Sequence, residues 1–218
     1  MDITPDSVKT LLNSPDLGDR LRAVNQMRTL DPSITFGMIL QAVDDLNPRV
    51  RYAAVSQLSS LGSQDRAKIL ETLRDRLQDA EPDVQAAAAD SIGALKLTEA
   101  FEDLRFLYNT SPEWLVKFSI VAALGELGDP RGFELLEDAI ASPNELMQMA
   151  AIGSFGELGD TRAVPLLTSH AANPDWQVRY RVAQALGRLA TPEAKIILET
   201  LAQDPVDQVA EEAKSGLG

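Results

Sequence analysis

Cysteine is absent from the 218 residues, and histidine occurs once, at His170. The lack of thiols excludes disulfides, thiolate metal sites, thiol catalysis and attachment of a cofactor to this chain through a thioether. One imidazole without a second histidine forms no metal cluster, so we expect no metal and interpret His170 as a structural or surface residue. No familiar arrangement of catalytic side chains is present either, and the sequence assigns no catalytic residue.

Aromatic residues and basic charge are also scarce, since aromatics make up 5% of the chain and the net charge is −13. An acidic surface disfavours nucleic acid, because duplex binding needs basic side chains that displace counterions. Anionic membrane surfaces are disfavoured for the same reason, and no apolar run approaches the roughly 18 residues of a membrane span. The N-terminus lacks the basic start and apolar stretch of a signal peptide, so we expect a cytoplasmic protein.

A repeated segment is the dominant feature that the sequence does contain. Similar stretches begin at Val116, Met147 and Val178, which are spaced 31 residues apart. Weaker copies have their anchor residues at Leu21, Val50, Val84 and Val209, which brings the number of copies to seven. Repeats of this length are typical of solenoids, in which stacked units bury a continuous core that no unit could bury alone.

Each copy carries the signals of two helices joined by a turn. A polar residue followed by proline predicts a helix start at Asp31-Pro32, Asn47-Pro48, Ser111-Pro112, Ser142-Pro143, Asn173-Pro174 and Asp204-Pro205. Gly62, Gly128 and Gly159 share one position after a helix, where we predict a left-handed C-terminal cap. The prediction is an all-α fold, a right-handed α-solenoid of about seven helix pairs that forms one domain over residues 1–218.

The second helix of each copy has an apolar side and an opposite side. At about 100° per residue, the apolar wedge of the fourth copy is Val116, Ile120, Ala123, Leu124 and Leu127, and this wedge predicts the core. The opposite side, which we expect to form the inner wall of the solenoid, carries several of the few aromatic side chains and a methionine. These are Tyr52, Trp114, Phe118, Met149, Trp176 and Tyr180.

The aromatic residues on this inner side predict a contact surface. Trp114 lies four residues before Phe118, and Trp176 lies four residues before Tyr180, so each pair shares a helix face. Small residues beside them, such as Gly156, leave room for a ligand or partner to approach. Exposed aromatics of this kind are typical of binding hot spots. The alternative is that the tryptophans fold over the turn and seal the edge of the repeat.

Basic residues on the second helices have two interpretations. One position, which points sideways toward the next repeat, is shared by Arg22, Arg51, Lys117 and Arg179. They either contact an acidic ligand or partner, or form a ladder of ion pairs between repeats. Arg181 lies nearby and is a candidate ligand contact, because its counterparts in the other copies are uncharged.

Longer segments add a family resemblance. The consensus Asn/Asp-Pro, then Val-Arg, Ala and Leu-Gly resembles the HEAT-like repeat of the phycobilisome bilin lyase family over essentially the whole chain. The segments 47–55, 92–104 and 175–187 are similar to the NblB-type phycobilisome degradation proteins of cyanobacteria. The resemblance makes the predicted solenoid one of HEAT-like helix pairs.

The resemblance also implies a function. It implies binding of phycobiliproteins, either phycocyanin or allophycocyanin, during antenna disassembly, with phycocyanobilin as a transient ligand, no required cofactor and promotion of bilin detachment. Two alternatives stay open: a bilin lyase subunit or chaperone that attaches bilin to apo-phycobiliprotein, and a generic protein scaffold with no pigment role. A homodimer through the end repeats is also open, because terminal units expose core-like flanks unless they are capped.

Overall fold

A computed structural model describes residues 2–218, which fold into fourteen α-helices and no strands. Contacts divide the chain into two compact units, with the boundary between Ile120 and Val121 inside one helix. The helices up to that boundary are α1 (Pro5–Leu12), α2 (Leu17–Met27), α3 (Pro32–Ala42), α4 (Pro48–Leu58), α5 (Arg66–Arg76), α6 (Pro82–Ala94), α7 (Phe101–Thr110) and α8 (Trp114–Leu127). The helices after it are α9 (Phe133–Ile140), α10 (Glu145–Leu158), α11 (Ala163–Ser169), α12 (Trp176–Leu189), α13 (Pro192–Leu201) and α14 (Asp207–Leu217).

The first unit is built from helix pairs. Helix α1 packs on α2, α3 on α4, and α5 on α6, while α2, α4 and α6 contact one another in series. Each pair therefore contributes a first helix to one layer and a second helix to another. The core between the layers contains fully buried side chains such as Ile39, Leu58, Ile69 and Leu73.

The second unit repeats the arrangement. Helix α9 packs on α10, α11 on α12, and α13 on α14. The second helices α10, α12 and α14 contact one another in series, and the first helices α11 and α13 also meet. Phe155, Leu136, Leu167 and Leu186 lie fully buried in this core. The predicted all-α fold of repeated helix pairs is confirmed.

The apolar wedge of the fourth copy lies in the core, as predicted. Val116, Ile120, Ala123, Leu124 and Leu127 are all buried, with no more than 3% of any of them exposed. The helical phase read from the sequence is therefore correct for α8.

The predicted helix starts are correct at two of the six Xaa-Pro pairs. The side chains of Asp31 and Asn47 cap α3 and α4 by accepting backbone N–H bonds. At the other four pairs the helix begins later, and the prediction is wrong. Asn173, for example, accepts a 2.8 Å bond from the N–H of Asp175, and Asp175 is the cap. Short polar side chains bond readily to the backbone two residues on, so a turn precedes these helices.

The shared C-terminal position is left-handed in four copies. Gly128 and Gly159 have φ of 69° and 75°, as predicted, and the same position is occupied by Lys96 and Ala190, both with φ of 51°. Gly62 is different, because its φ is −56° and a 3₁₀ turn over Ser59–Leu61 precedes it. The prediction of a left-handed cap is therefore wrong at Gly62.

Glycine substitutions at the two non-glycine caps should stabilise the protein. A non-glycine residue in the left-handed region costs about 1–2 kcal/mol of folding free energy. Glycine avoids this cost, but its unfolded chain is more flexible, and the extra entropy lost on folding offsets part of the gain. We expect Lys96→Gly and Ala190→Gly each to raise the free energy of unfolding by about 1 kcal/mol. Urea titration followed by far-UV circular dichroism measures this, and Gly159→Ala is the control that should lower it. A lower midpoint in both glycine variants would contradict the prediction.

Candidate ligand- and partner-binding surfaces

A cavity in the second unit brings together four of the predicted contact residues. It has a volume of about 490 Å³ and lies across the second helices α10, α12 and α14. Its lining residues are Met149 from α10, Trp176, Gln177, Tyr180, Arg181 and Gln184 from α12, and Gln208 from α14. Cavities of a few hundred cubic ångströms with aromatic walls and a few polar groups are typical ligand sites.

Helix α12 positions the aromatic wall of this cavity. The Asp175 carboxylate caps the helix by accepting a 2.9 Å bond from the N–H of Gln177, so Trp176 becomes the first helical residue. Tyr180 follows four residues later on the same face. Trp176 remains 40% exposed, and Tyr180 is half-buried. The expectation that the tryptophans avoid enclosure is confirmed for Trp176.

Polar side chains form a short hydrogen-bonded row in the cavity. Arg181 Nη1 donates to Gln184 Oε1 at 3.3 Å, and Gln184 Nε2 donates to the Tyr180 hydroxyl at 3.2 Å. Hydrogen bonding to the Glu212 carboxylate, together with its negative charge, raises the pKa of Tyr180. Arg181 is exposed, and within residues 2–218 it has no salt-bridge partner. Its positive charge is therefore available to an anionic ligand.

A second aromatic cluster lies at the start of α8, in the first unit. The rings of Trp114 and Phe118 meet edge to face with centroids 6.2 Å apart. Trp114 is 53% exposed, so this tryptophan is also open to solvent as expected. Lys117 places its Nζ 5.3 Å from the ring centroid of Tyr108, which gives its charge an intramolecular cation–π contact.

Arg51 and Arg179 form the ladder that was the alternative interpretation of the shared basic position. Arg51 binds the Asp79 carboxylate through two bonds, of 2.8 and 2.7 Å. Arg179 binds Asp204 in the same way, at 2.6 and 3.0 Å. In each case the remaining Nη1 donates to two backbone carbonyls that precede the helix. These guanidinium groups therefore stabilise the stacking of neighbouring repeats.

The first rung of the ladder corrects the alignment of the first copy. Arg20, and not Arg22, binds a carboxylate of the next repeat, through a 2.7 Å contact with Asp45. Arg22 instead pairs with Asp19 on its own helix. Arg20 is therefore the equivalent of Arg51, 31 residues earlier. The anchor of the first copy is two residues before Leu21, and the Leu-Arg sequence at Leu21 matched the Val-Arg of the other copies by chance.

The glycines of the second helices do not leave room for a partner. A Cβ atom on Gly156 would lie 2.7 Å from Ala185 Cα, and one on Gly125 would lie 2.7 Å from Ser154 Cα. The backbone of the next second helix already occupies this space. The interpretation that these small residues admit a ligand is therefore wrong.

Sequence reasoning missed two polar residues that line the cavity of the second unit, Gln177 and Gln208, and also Glu212, whose carboxylate raises the pKa of Tyr180. Gln177 and Gln208 are equivalent residues, 31 positions apart, so the repeat itself contained a signal. Glu212 could not be assigned in advance, because its contact with Tyr180 depends on how α14 packs against α12.

Metal and membrane features are not found in the described part of the chain. Within residues 2–218, no three His, Asp or Glu side chains cluster closely enough to hold a metal ion. No helix in the same range is both long and apolar enough to cross a bilayer. His170 hydrogen-bonds through Nδ1 to the carbonyl of Leu166 and the hydroxyl of Ser169.

Comparison with solved structures supports the repeat architecture. The chain superimposes with a TM-score of 0.67 on one chain in the structure of the complex of CpcE and CpcF of phycocyanin lyase from Nostoc sp. PCC7120. The two chains are 21% identical, and the match covers 100% of this chain and 94% of the other. An engineered protein gives a TM-score of 0.62 at 17% identity, and the match covers 98% of this chain and 67% of the engineered one. The Escherichia coli protein YibA gives 0.59 at 14% identity, covering 98% and 92%. At these identities the likeness establishes the fold alone.

Sequence comparison identifies the family. No curated protein sequence matches the chain significantly. The family described as HEAT repeats matches residues 70–154 and 134–218, which together span more than half of the chain. This agrees with the stacked helix pairs of the structure, and the chain is a member of the HEAT repeat family.

Proposed function

We propose that this protein binds phycobiliproteins or their bilin chromophores and acts in phycobilisome degradation. The observation that carries the proposal is the cavity of the second unit, where Trp176 and Tyr180 lie beside the guanidinium of Arg181, which forms no salt bridge within residues 2–218. The fold likeness to a phycocyanin lyase complex along the whole chain supports the same class of partner.

The chemistry of a bilin suits this cavity. A bilin is an open-chain tetrapyrrole with a flat conjugated system and two propionate groups. The indole of Trp176 offers apolar surface to the conjugated rings, while Arg181 can pair with a propionate. Gln177 and Gln208 each carry an amide that can both donate to and accept from pyrrole and lactam groups.

The proposed direction of action is detachment of bilin from its carrier. This direction follows the resemblance to degradation proteins, whereas the likeness to a phycocyanin lyase favours attachment as the second candidate. The chain has no cysteine, so it would not hold the pigment by a thioether in either case. Its contribution would be to bind and orient the bilin on the carrier protein.

A two-armed assay tests the direction. Holo-phycocyanin is mixed with this protein in one arm, and apo-phycocyanin with free phycocyanobilin in the other, while visible absorbance and co-migration are followed. Degradation predicts loss of phycocyanin absorbance in the first arm. Gain of covalent pigment in the second arm would establish the attachment function instead. Binding that is equal for holo- and apo-phycocyanin, with no spectral change, would establish a scaffold with no pigment role.

The site itself is tested by substitutions on α12. We expect Trp176→Ala and Arg181→Gln each to weaken phycocyanobilin binding about tenfold. Binding is measured by the shift of bilin absorbance as protein is added. The matched control is Arg188→Gln on the same helix, because Arg188 lies outside the cavity lining and pairs with Glu157. Unchanged binding in both cavity variants would contradict the assignment of this site.

A further inference from the structure

A groove in the first unit is not used by the proposed function. It has a volume of about 520 Å³ and lies across the second helices α4 and α6 and the first turns of α8. Tyr52 lines one wall, Leu115 and Ser119 line the opposite wall, and Ala86 lies between them. Tyr52 is 48% exposed, so its ring is accessible from solvent.

The groove exists because one copy lacks a large side chain. The position held by Tyr52 in the second copy and by Phe118 in the fourth is held by Ala86 in the third. Ala86 is 5% exposed and forms the floor of the groove. The missing ring leaves a depression along the helix, which contributes to the groove.

The rim of the groove is negatively charged. Glu81, Asp83 and Asp90 all line it and are exposed, and the only opposing charge in the lining is Arg49. Asp83 forms no ion pair with any residue in the range 2–218. A field of this sign attracts a cation and repels carboxylates, so an anionic pigment is not the expected occupant.

The far wall contains a hydroxyl group, that of Ser119. Ser119 is 7% exposed and lines the groove, and its hydroxyl makes no hydrogen bond with any other residue of the described chain. The Ser119 oxygen is not sealed from solvent, because Arg76 Nε is the only buried side-chain nitrogen or oxygen without a partner among the described residues. The hydroxyl can therefore accept a hydrogen bond from a ligand N–H in the groove.

We propose that this groove binds a lysine or arginine side chain on a basic segment of a partner protein. The methylene stem of such a side chain would pack on Ala86, Leu115 and the ring of Tyr52, because long cationic side chains bury their stems and keep the charged head near water. The head would reach the carboxylates of Asp83 and Asp90 and donate an N–H to Ser119. An apolar floor suits this occupant better than a metal ion, which would need only oxygen ligands.

The test uses a short fluorescein-labelled peptide in which two lysines and two arginines are spaced by serine and glycine. Its binding is followed by fluorescence anisotropy at low salt. Ala86→Phe fills the groove with the ring that another copy carries, and we expect about tenfold weaker binding. The double variant Asp83→Asn, Asp90→Asn should weaken binding by a similar factor, because it removes two of the three carboxylates at the rim.

A matched variant separates the groove from general charge attraction. Glu71→Gln with Asp75→Asn on α5 removes the same number of exposed carboxylates from a helix that does not line the groove, and binding should be retained. Equal losses in the two double variants would overturn the proposal, as would tight binding of a peptide with glutamine in place of its basic residues. No pigment or phycobiliprotein enters this assay, so its failure and the failure of the proposed function are distinguished.

Discussion

Replacing Gly156 with alanine should destabilise the second unit by about 3 kcal/mol. The new Cβ would lie 2.7 Å from the Cα and 3.0 Å from the Cβ of Ala185, so backbone atoms of α12 must move. A clash with backbone is costly, because a packed helix shifts only together with its neighbours. We expect the midpoint of urea unfolding to fall clearly, with a matching loss of thermal stability.

Gly153, on the same helix, provides the matched control. A Cβ atom there would meet no other atom within 4 Å, and this helix position has no positive φ. Alanine is better than glycine inside a helix, so Gly153→Ala should stabilise the protein by about 1 kcal/mol. If both variants lowered stability equally, the close approach of α10 and α12 would not be the cause.

Replacing Arg179 with methionine should cost about 3 kcal/mol, because removing one member of a buried ion pair leaves the other charge unpaired. The side chains of Arg179 and Asp204 are 13% and 6% exposed, and the pair is bidentate. The substitution also leaves the carbonyls of Asn173 and Pro174 without this donor. Denaturant unfolding of the two proteins at neutral pH measures the loss.

The control for this substitution is Arg188→Met on the same helix. Arg188 pairs with Glu157 at 3.0 Å, but the two side chains are 53% and 40% exposed. Exposed pairs contribute little, so we expect a change below about 0.5 kcal/mol. A loss as large as that of Arg179→Met would show that the burial of the pair does not matter.

The stability contributed by the Arg179–Asp204 pair should depend on pH. The hydrogen bonds from Arg179 hold the pKa of Asp204 below its ordinary value. A lowered carboxyl pKa contributes stability that is present above the unfolded pKa of about 3.9 and is lost as the pH falls through the folded pKa. The difference in stability between the wild type and Arg179→Met should therefore shrink below about pH 4. A difference that stays constant down to low pH would contradict this assignment.

The ladder also bears on which predicted contact residues remain candidates. Arg51 and Arg179 are engaged with carboxylates and carbonyls, and Lys117 lies over Tyr108. Arg181 keeps its charge available beside Trp176. The sequence pointed to the same distinction, since Arg181 breaks the repeat pattern while the ladder residues follow it.

Sequence patterns predicted the helices and their buried sides better than the residues at which the helices begin and end. The helix pairs and the buried wedge of α8 were predictable, because apolar periodicity depends only on the geometry of one helix. The capping role of Asn173 was not, because a polar side chain before proline can cap a helix or close a turn with equal ease. The left-handed φ of Ala190 could not be predicted either, because glycine is the residue whose presence indicates that conformation.

By itself, the sequence determined that the chain is a series of stacked helix pairs and which side of each second helix is apolar. These properties follow from residue spacing within single helices. The tertiary structure decided which partner each side chain meets, as Gly156 meets Ala185, Arg51 meets Asp79 and Tyr180 meets Glu212. Such contacts depend on the separation and rotation of neighbouring helices, which are set by the packing of many side chains at once and not by any one segment.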